Sequence, residues 1–348
     1  MQEDVQSAKE LKSHGLRYVD CNKNGIKRLR KGKKFTYVDT KGKTVSDEKK
    51  LKRIASLVIP PAWEDVWICA SPNGHIQATG IDVRGRKQYK YHTTWSSLRK
   101  DNKFANLIVF GKGLPLLRKQ IQRDLRRKEL DERKVVALAL EIMDQTSIRI
   151  GNEQYSKQNG SYGLTTLKNK HADFQDNKVF FKFIGKKGIK QQKVLKGKKL
   201  YNILRSVKEI PGQRLFQYLD KNGRSYSLDS AQLNHYLKTF YQEEVTCKTF
   251  RTWNACFSFL DYLSESAAPE TKKERKEILN GAIEHVAKLL GNTKTIAKNH
   301  YIDPRLMESY EEGLLDKWIR KVPSGAKEKE KEKHITKKLL RMLQLTDK

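Results

Sequence analysis

The chain has 348 residues, with 72 Lys and Arg against 40 Asp and Glu, a formal net charge of +32 and a pI near 9.9. That length allows two domains. The excess of cations calls for a polyanionic partner, with nucleic acid ahead of an anionic membrane surface, although charge alone also fits a soluble, lysine-rich protein. There is no run of ~18 apolar residues for a membrane span, and Met1 to Gly15 lacks the apolar core of a signal peptide. Cys21, Cys69, Cys247 and Cys256 show no CxxC spacing and fit a reducing compartment. The eight histidines are scattered without an HExxH pattern, so no metal site is expected.

The first hundred residues read as β-rich. Phe35–Val38 is a strand followed by a turn at Asp39–Lys43. Ser46–Leu57 reads as a short helix with Ser46 as its N-cap. Pro60-Pro61 breaks the chain, and Val66–Cys69, Ser71-Pro72-Asn73-Gly74 and His75–Gly80 form a hairpin, signalled by Asn-Gly between two apolar runs. The polar stretch Ser96–Lys103 is placed as the linker between domains.

From Phe104 the period becomes helical. Leu114, Leu117, Ile121 and Leu125 recur at three- and four-residue spacing, as do Val135, Leu138, Ile142 and Thr146. Val179–Ile184, Gly185–Gly188 and Ile189–Leu195 interrupt the helices with a hairpin. Helices resume near Lys198, with candidates at Ser230–Glu243, Thr249–Ser264, Lys272–Leu290 and Lys294–His300. The charge-alternating tail, Ala326–Lys333, reads as a solvated helix or an extension without fixed structure. The expected class is α+β: a β-rich domain over 1–100, a mainly helical domain with a small β-hairpin over 101–324, and a charged tail over 325–348. No internal repeat is visible.

Four scattered residues combine into one chemistry. Arg149 ends an apolar helical pattern, Lys186 sits in the hairpin turn, Arg251 lies inside the apolar stretch Phe250–Leu260, and Tyr301 closes a basic segment. Each has an ordinary structural reading: a capping arginine, a solvated turn lysine, a buried arginine set against an anion or a carboxylate, a half-buried interface tyrosine. Together they supply what transfer of a DNA phosphoryl group to a tyrosine needs. Guanidinium forks suit the charge on the non-bridging oxygens. A lysine among other cations can protonate a leaving oxygen. A tyrosine can attack where cations ease loss of its proton.

Arg149-Ile150-Gly151, Tyr155 and the run Gly163-Leu164-Thr165-Thr166-Leu167-Lys168-Asn169-Lys170-His171 resemble the small type IB DNA topoisomerases of poxviruses and bacteria. Lys182–Lys186 resembles that family's lysine hairpin, Lys248–Trp253 its second arginine motif, and Leu290–Thr293 followed by Tyr301 its nucleophile region. Gly80–His92 resembles the N-terminal domain of the bacterial members. The resemblance implies a tyrosine recombinase/topoisomerase IB-like fold and relaxation of positive and negative supercoils without ATP, metal or other cofactor; the lack of a GxxxxGK[ST] sequence agrees. It implies that Tyr301 attacks to form a 3′-phosphotyrosyl link, that Arg149 and Arg251 hold the phosphate, and that Lys186 protonates the 5′-oxygen, with Lys187 as the alternative. Asn292 stands where poxviral members often have histidine; its amide can donate a hydrogen bond but cannot be a cation. His300 is expected to be a non-catalytic neighbour.

The expected partner is double-stranded DNA, bound by a monomer, with no membrane and no small-molecule cofactor. Arg84, Arg86, Lys87, Gln88, Tyr89, Lys90 and Tyr91 mix cations, an amide and aromatics suited to phosphate and groove contacts; the alternative is a charged hairpin edge. Lys168 and Lys170 are further expected DNA contacts. The implied setting is the bacterial cytoplasm and nucleoid, or a virus. Two rivals remain at this stage. A tyrosine recombinase would usually carry His-x-x-Arg at the second arginine, where this chain has Lys248. A DNA-compaction protein explains the charge but not the four motifs.

Overall fold

The computed structural model describes residues 11–32, 34–241, 245–321 and 327–344, apart from the side chains of 100–102. The chain divides into two compact units, Met1–Lys103 and Phe104–Lys348.

The first unit is built on an antiparallel sheet of β1 (Ile26–Lys31), β2 (Lys34–Val38), β3 (Glu64–Ile68), β4 (Ile76–Ile81) and β5 (Lys87–Tyr91), in the order β2-β1-β3-β4-β5. Ile26, Val66, Ile68 and Ala78 form its small core with Ile54 of helix α1 (Glu48–Ser56). The cap of α1 is Asp47 rather than the expected Ser46. Its Oδ1 accepts from Lys50 N at 3.1 Å, which places a carboxylate on the helix N-terminus. Strand β1 has no sequence signal because most of its side chains are basic. Arg28 is accommodated by donating to the carbonyls of Ile59, Pro60 and Trp63 at 3.3, 3.0 and 2.6 Å.

The expected linker at 96–103 is helical. It lies inside α2 (Thr93–Asp124), so its polarity belongs to a helix and not to a loop. The second unit continues with α3 (Glu132–Thr146) and α4 (Glu153–Asn159), then a three-stranded antiparallel sheet of β6 (Ala172–Gln175), β7 (Lys178–Ile184) and β8 (Lys190–Lys196). The hairpin register pairs Lys178 with Lys196 and Ile184 with Lys190. Helix α5 (Lys198–Lys208) follows, then the short pair β9 (Gln217–Leu219) and β10 (Ser225–Ser227), and helices α6 (Ser230–Phe240), α7 (Cys247–Glu265), α8 (Lys272–Leu290), α9 (Lys294–His300), α10 (Pro304–Glu311) and α11 (Asp316–Ile319). The end expected for α6, residues 242 and 243, lies outside the described residues.

The core of this unit runs along α3 and α7, with Leu138, Leu140, Phe250, Trp253, Phe259 and Leu260 fully or almost fully buried. The tail boundary expected at 324/325 lies outside the described residues. The charged stretch beyond it opens helix α12 (Glu328–Gln344) and is a solvated helix over its first turn, but the same helix continues into a packed apolar face. Ile335, Leu339, Met342 and Leu343 are buried, and Lys331 pairs with Asp261 of α7 at 2.6 Å. Alternating charges hid the apolar face because that face begins only after the charged turns. Among the described residues no helix is long and apolar enough to cross a membrane.

Candidate active site

Arg149 owes its position to how α3 stops. Asp131 caps the start of that helix, and Ser147 ends it in the left-handed conformation at φ 55°. Arg149 therefore emerges on irregular chain. Its backbone is pinned by the Gly163–Leu167 run: Leu164 N donates to Arg149 O at 2.7 Å and Thr165 N to Ile150 O at 2.8 Å. Only glycine fits at 163, because a Cβ there would stand 2.5 Å from Gly151 N and 2.6 Å from Arg149 O. The motif Gly163–Leu167 thus forms the bed of Arg149.

Asn292 follows the C-terminus of α8. Gly291 takes the left-handed cap position at φ 59°, and Asn292 N donates back to Ala287 O at 2.9 Å. Arg149 Nη2 donates to Asn292 Oδ1, joining the two. Arg251 lies on α7, 4% exposed. An anion or a carboxylate is expected against a buried arginine; among the described residues its hydrogen-bond partners include no carboxylate, and two of its nitrogens reach backbone carbonyls. Nη1 donates to Ser147 O, and Nη2 donates to Leu290 O at 3.0 Å. Those carbonyls lie two residues before Arg149 and two before Asn292, so one guanidinium ties both turns together.

Tyr301 caps α9, with its N donating to Ala297 O at 3.0 Å. Arg251 Cζ stands 5.2 Å from the centre of its ring. Burial pushes the phenol up, but Arg251, Arg149, hydrogen bonding from Arg251 and Lys248 outweigh it, and Tyr301 titrates below the ordinary phenol value. Burial, then repulsion from Arg149, bring Arg251 down to about 10 against the attraction of Tyr301; it stays a cation at neutral pH.

Lys186 occupies the turn after β7, with Lys187 in the left-handed conformation at φ 64°. Lys186 Nζ lies 6.0 Å from the ring centre of Tyr155. Its side chain is exposed, yet the surrounding protein removes part of its hydration. That desolvation and the charge of Arg149 lower its pKa; Tyr301 raises it, and Lys187 and Lys248 lower it further. The structure therefore gathers Arg149, Lys186, Arg251, Asn292 and Tyr301 in one place. His300 is exposed at the end of α9.

Lys193 of β8 was not singled out in the sequence. It is half-buried, donates to Leu289 O, and is brought down to about 8 by burial, Arg251 and Arg149. A signal was available: in β8 it shares the inward face with buried Gln191 and Leu195. Lys248, within the second arginine motif, lowers the pKa of both Tyr301 and Lys186.

The residues expected to contact DNA in the first unit are of two kinds. Lys87, Tyr89 and Tyr91 share the exposed face of β5, with the two tyrosine rings stacked at 5.9 Å. Arg86 and Gln88 are bonded to Asp82, at 2.6 and 2.8 Å. Arg84 is exposed in the turn, and Lys90 is half-buried. In the second unit, Lys168 Nζ reaches Gln213 Oε1 at 3.5 Å and Lys170 is exposed.

Residues 92–322 match the family model of the eukaryotic DNA topoisomerase I catalytic core, and residues 34–82 match that of the bacterial DNA topoisomerase IB N-terminal domain. The chain belongs to the type IB DNA topoisomerases. It is 32% identical to DNA topoisomerase 1B of Acanthamoeba polyphaga mimivirus over 82% of this chain and 88% of that protein. It is 25% identical to the vaccinia virus (strain Copenhagen) DNA topoisomerase 1B over 66% of this chain and 70% of that one. A solved XerH site-specific recombinase in a post-cleavage complex covers 57% of this chain and 49% of its own, at TM-score 0.37 and 16% identity, too slight a likeness to weigh in the choice between topoisomerase and recombinase. Membership makes the chain an enzyme of the isomerase class whose α+β fold is that of its family.

Proposed function

We propose that this type IB topoisomerase relaxes positive and negative supercoils by cutting one strand through a 3′-phosphotyrosyl intermediate, allowing rotation, and religating. Tyr301 Oη, having lost its proton to solvent, attacks the phosphorus as the phenolate, the P–O5′ bond breaks, and Lys186 gives its proton to the departing 5′-oxygen. Arg149, Arg251 and Asn292 donate to the non-bridging oxygens as charge builds on them. Religation reverses each step: Lys186 recovers the proton as O5′ attacks and Tyr301 leaves. Bond energy is conserved in the phosphotyrosine, so no ATP is used, and side chains supply the stabilising charge without a metal.

One observation carries this reading. Arg251 Nε and Asn292 Nδ2 are buried with no hydrogen-bond partner among the described residues. An unmet buried donor costs about 1–3 kcal/mol. Both belong to side chains gathered around Tyr301, where phosphate oxygens would satisfy them.

The enzyme would act as a monomer on double-stranded DNA. Lys87, Tyr89 and Tyr91 of the first unit and Lys168 and Lys170 of the second would contact the duplex. The setting is the nucleoid of a bacterium or the DNA of a virus.

Plasmid assays test the reading. Relaxation of both supercoil signs without metal or ATP is expected. Recombination between defined sites, with little relaxation of a plasmid lacking them, would instead make the chain a tyrosine recombinase. Tyr301→Phe should abolish relaxation while leaving salt-dependent DNA binding in place, which separates the enzyme from a compaction protein.

A further inference from the structure

The strand that returns from Lys186 docks on the turn that carries Asn292. Along β8 the side chains alternate, and Gln191, Lys193 and Leu195 face inward. Gln191 packs against two glycines at once. A Cβ at Gly185, just before Lys186, would stand 2.8 Å from Gln191 Cγ, and a Cβ at Gly291, just before Asn292, would overlap the Gln191 amide. Two residues further along, Lys193 Nζ donates to Leu289 O. The next carbonyl, Leu290 O, accepts from Arg251. The two carbonyls that close α8 are thus held by the lysine hairpin and by the arginine beneath Tyr301.

Neither side chain suits this place for stability alone. Lys193 is a cation set beside Arg251 and Arg149, and Gln191 Nε2 is buried without a partner among the described residues. Apolar side chains would extend the face that Leu195 begins and avoid both penalties. What the pair does provide is a fixed register between two pieces of the site far apart in sequence.

We propose that Gln191 and Lys193 are positioning residues for proton transfer: they lock the Lys186 hairpin to the Gly291–Asn292 turn, so that Lys186 meets the leaving oxygen of the phosphate held by Arg251 and Asn292. The proposal rests on the reading of Lys186 as the general acid. The pair touches no reacting atom and acts through where Lys186 stands.

The test uses the full chain in single-turnover cleavage of a duplex, with either an ordinary phosphodiester or a 5′-bridging phosphorothiolate at the cut. The thiolate leaves without a proton, so only acid-dependent losses vanish on it. Lys193→Met, which keeps the stem and removes the charge, should slow phosphodiester cleavage by about tenfold or more, the scale set by small misplacements of a reacting group. It should cleave the phosphorothiolate close to the wild-type rate and add no loss to Lys186→Ala. Equal losses on both substrates, or none on either, would overturn the positioning role. If Lys193→Met does not fold, as judged by its thermal midpoint, Gln191→Met carries the same comparison. Lys186→Ala run alongside separates the two claims: without rescue on the phosphorothiolate the acid assignment itself fails, whereas rescue there with equal losses in Lys193→Met sinks the positioning role alone.

Discussion

Arg251 lies under Tyr301, its Cζ 5.2 Å from the ring centre, and at the same time holds the carbonyls of Ser147 and Leu290. A buried guanidinium therefore lowers the pKa of Tyr301 and also holds the turns that carry Arg149 and Asn292. Arg251→Lys should lose both functions, because a single ammonium cannot reproduce the fork. Cleavage should fall by about a hundredfold or more with DNA affinity little changed. A variant that cleaves at the wild-type rate would contradict this.

The pH dependence follows from two shifts of the same direction. Burial works against ionisation of Tyr301, but the cations prevail and it loses its proton below the usual phenol range. Desolvation and Arg149 likewise make Lys186 lose its proton below the usual lysine range. Attack needs the phenolate, which grows with pH; departure needs the ammonium, which shrinks with pH. Cleavage should rise and then fall as pH increases, with the alkaline fall set by Lys186. A 5′-bridging phosphorothiolate should remove the fall and keep the rise. Persistence of the fall on that substrate would assign it to another group.

Gly163→Ala should be costly although the residue touches no phosphate. The added Cβ meets Arg149 O and Gly151 N, and forcing backbone apart in a packed interior costs about 1–3 kcal/mol. Denaturant unfolding measures the loss, and cleavage should drop with it because Arg149 moves. Wild-type stability in this variant would show that the segment yields without strain.

Within the β5 strip, substitutions should divide by what holds each side chain. Lys87 is exposed, so Lys87→Ala should weaken DNA binding and reduce the salt slope by about one. Arg86 holds the Asp82 carboxyl well below the usual carboxylate range, together with the turn that Asp82 organises. Arg86→Ala should loosen that turn, seen as faster exchange of the amides at positions 84 and 86, with little change in slope. The reverse pattern would mean that Arg86 leaves Asp82 for DNA.

Much of the site was legible because its chemistry sits in short runs with strong local signals. The apolar period before Arg149, the hairpin around Lys186 and the glycine cap before Asn292 can all be read from neighbours in sequence. What the sequence hid depends on contacts between distant segments. Arg251 places two of its nitrogens on backbone carbonyls, which no residue type announces, so sequence alone points only to an anion or a carboxylate. Lys193 and Gln191 face inward on a strand that carries polar residues on both faces and an exposed Val194, so alternation carried little contrast. Strand β1 was hidden by its basic side chains, and the apolar face of α12 by the charged turns before it.

The central claim is that Tyr301 is the nucleophile, and the most direct measurement is to trap and map the covalent bond. The protein is incubated with duplex DNA, denatured rapidly, digested and sequenced by mass spectrometry for the tyrosine bearing a 3′-linked nucleotide. The expected result is a single adduct on Tyr301, among the fourteen tyrosines, that is absent from Tyr301→Phe. An adduct on a different tyrosine, or one that persists in Tyr301→Phe, would contradict the account.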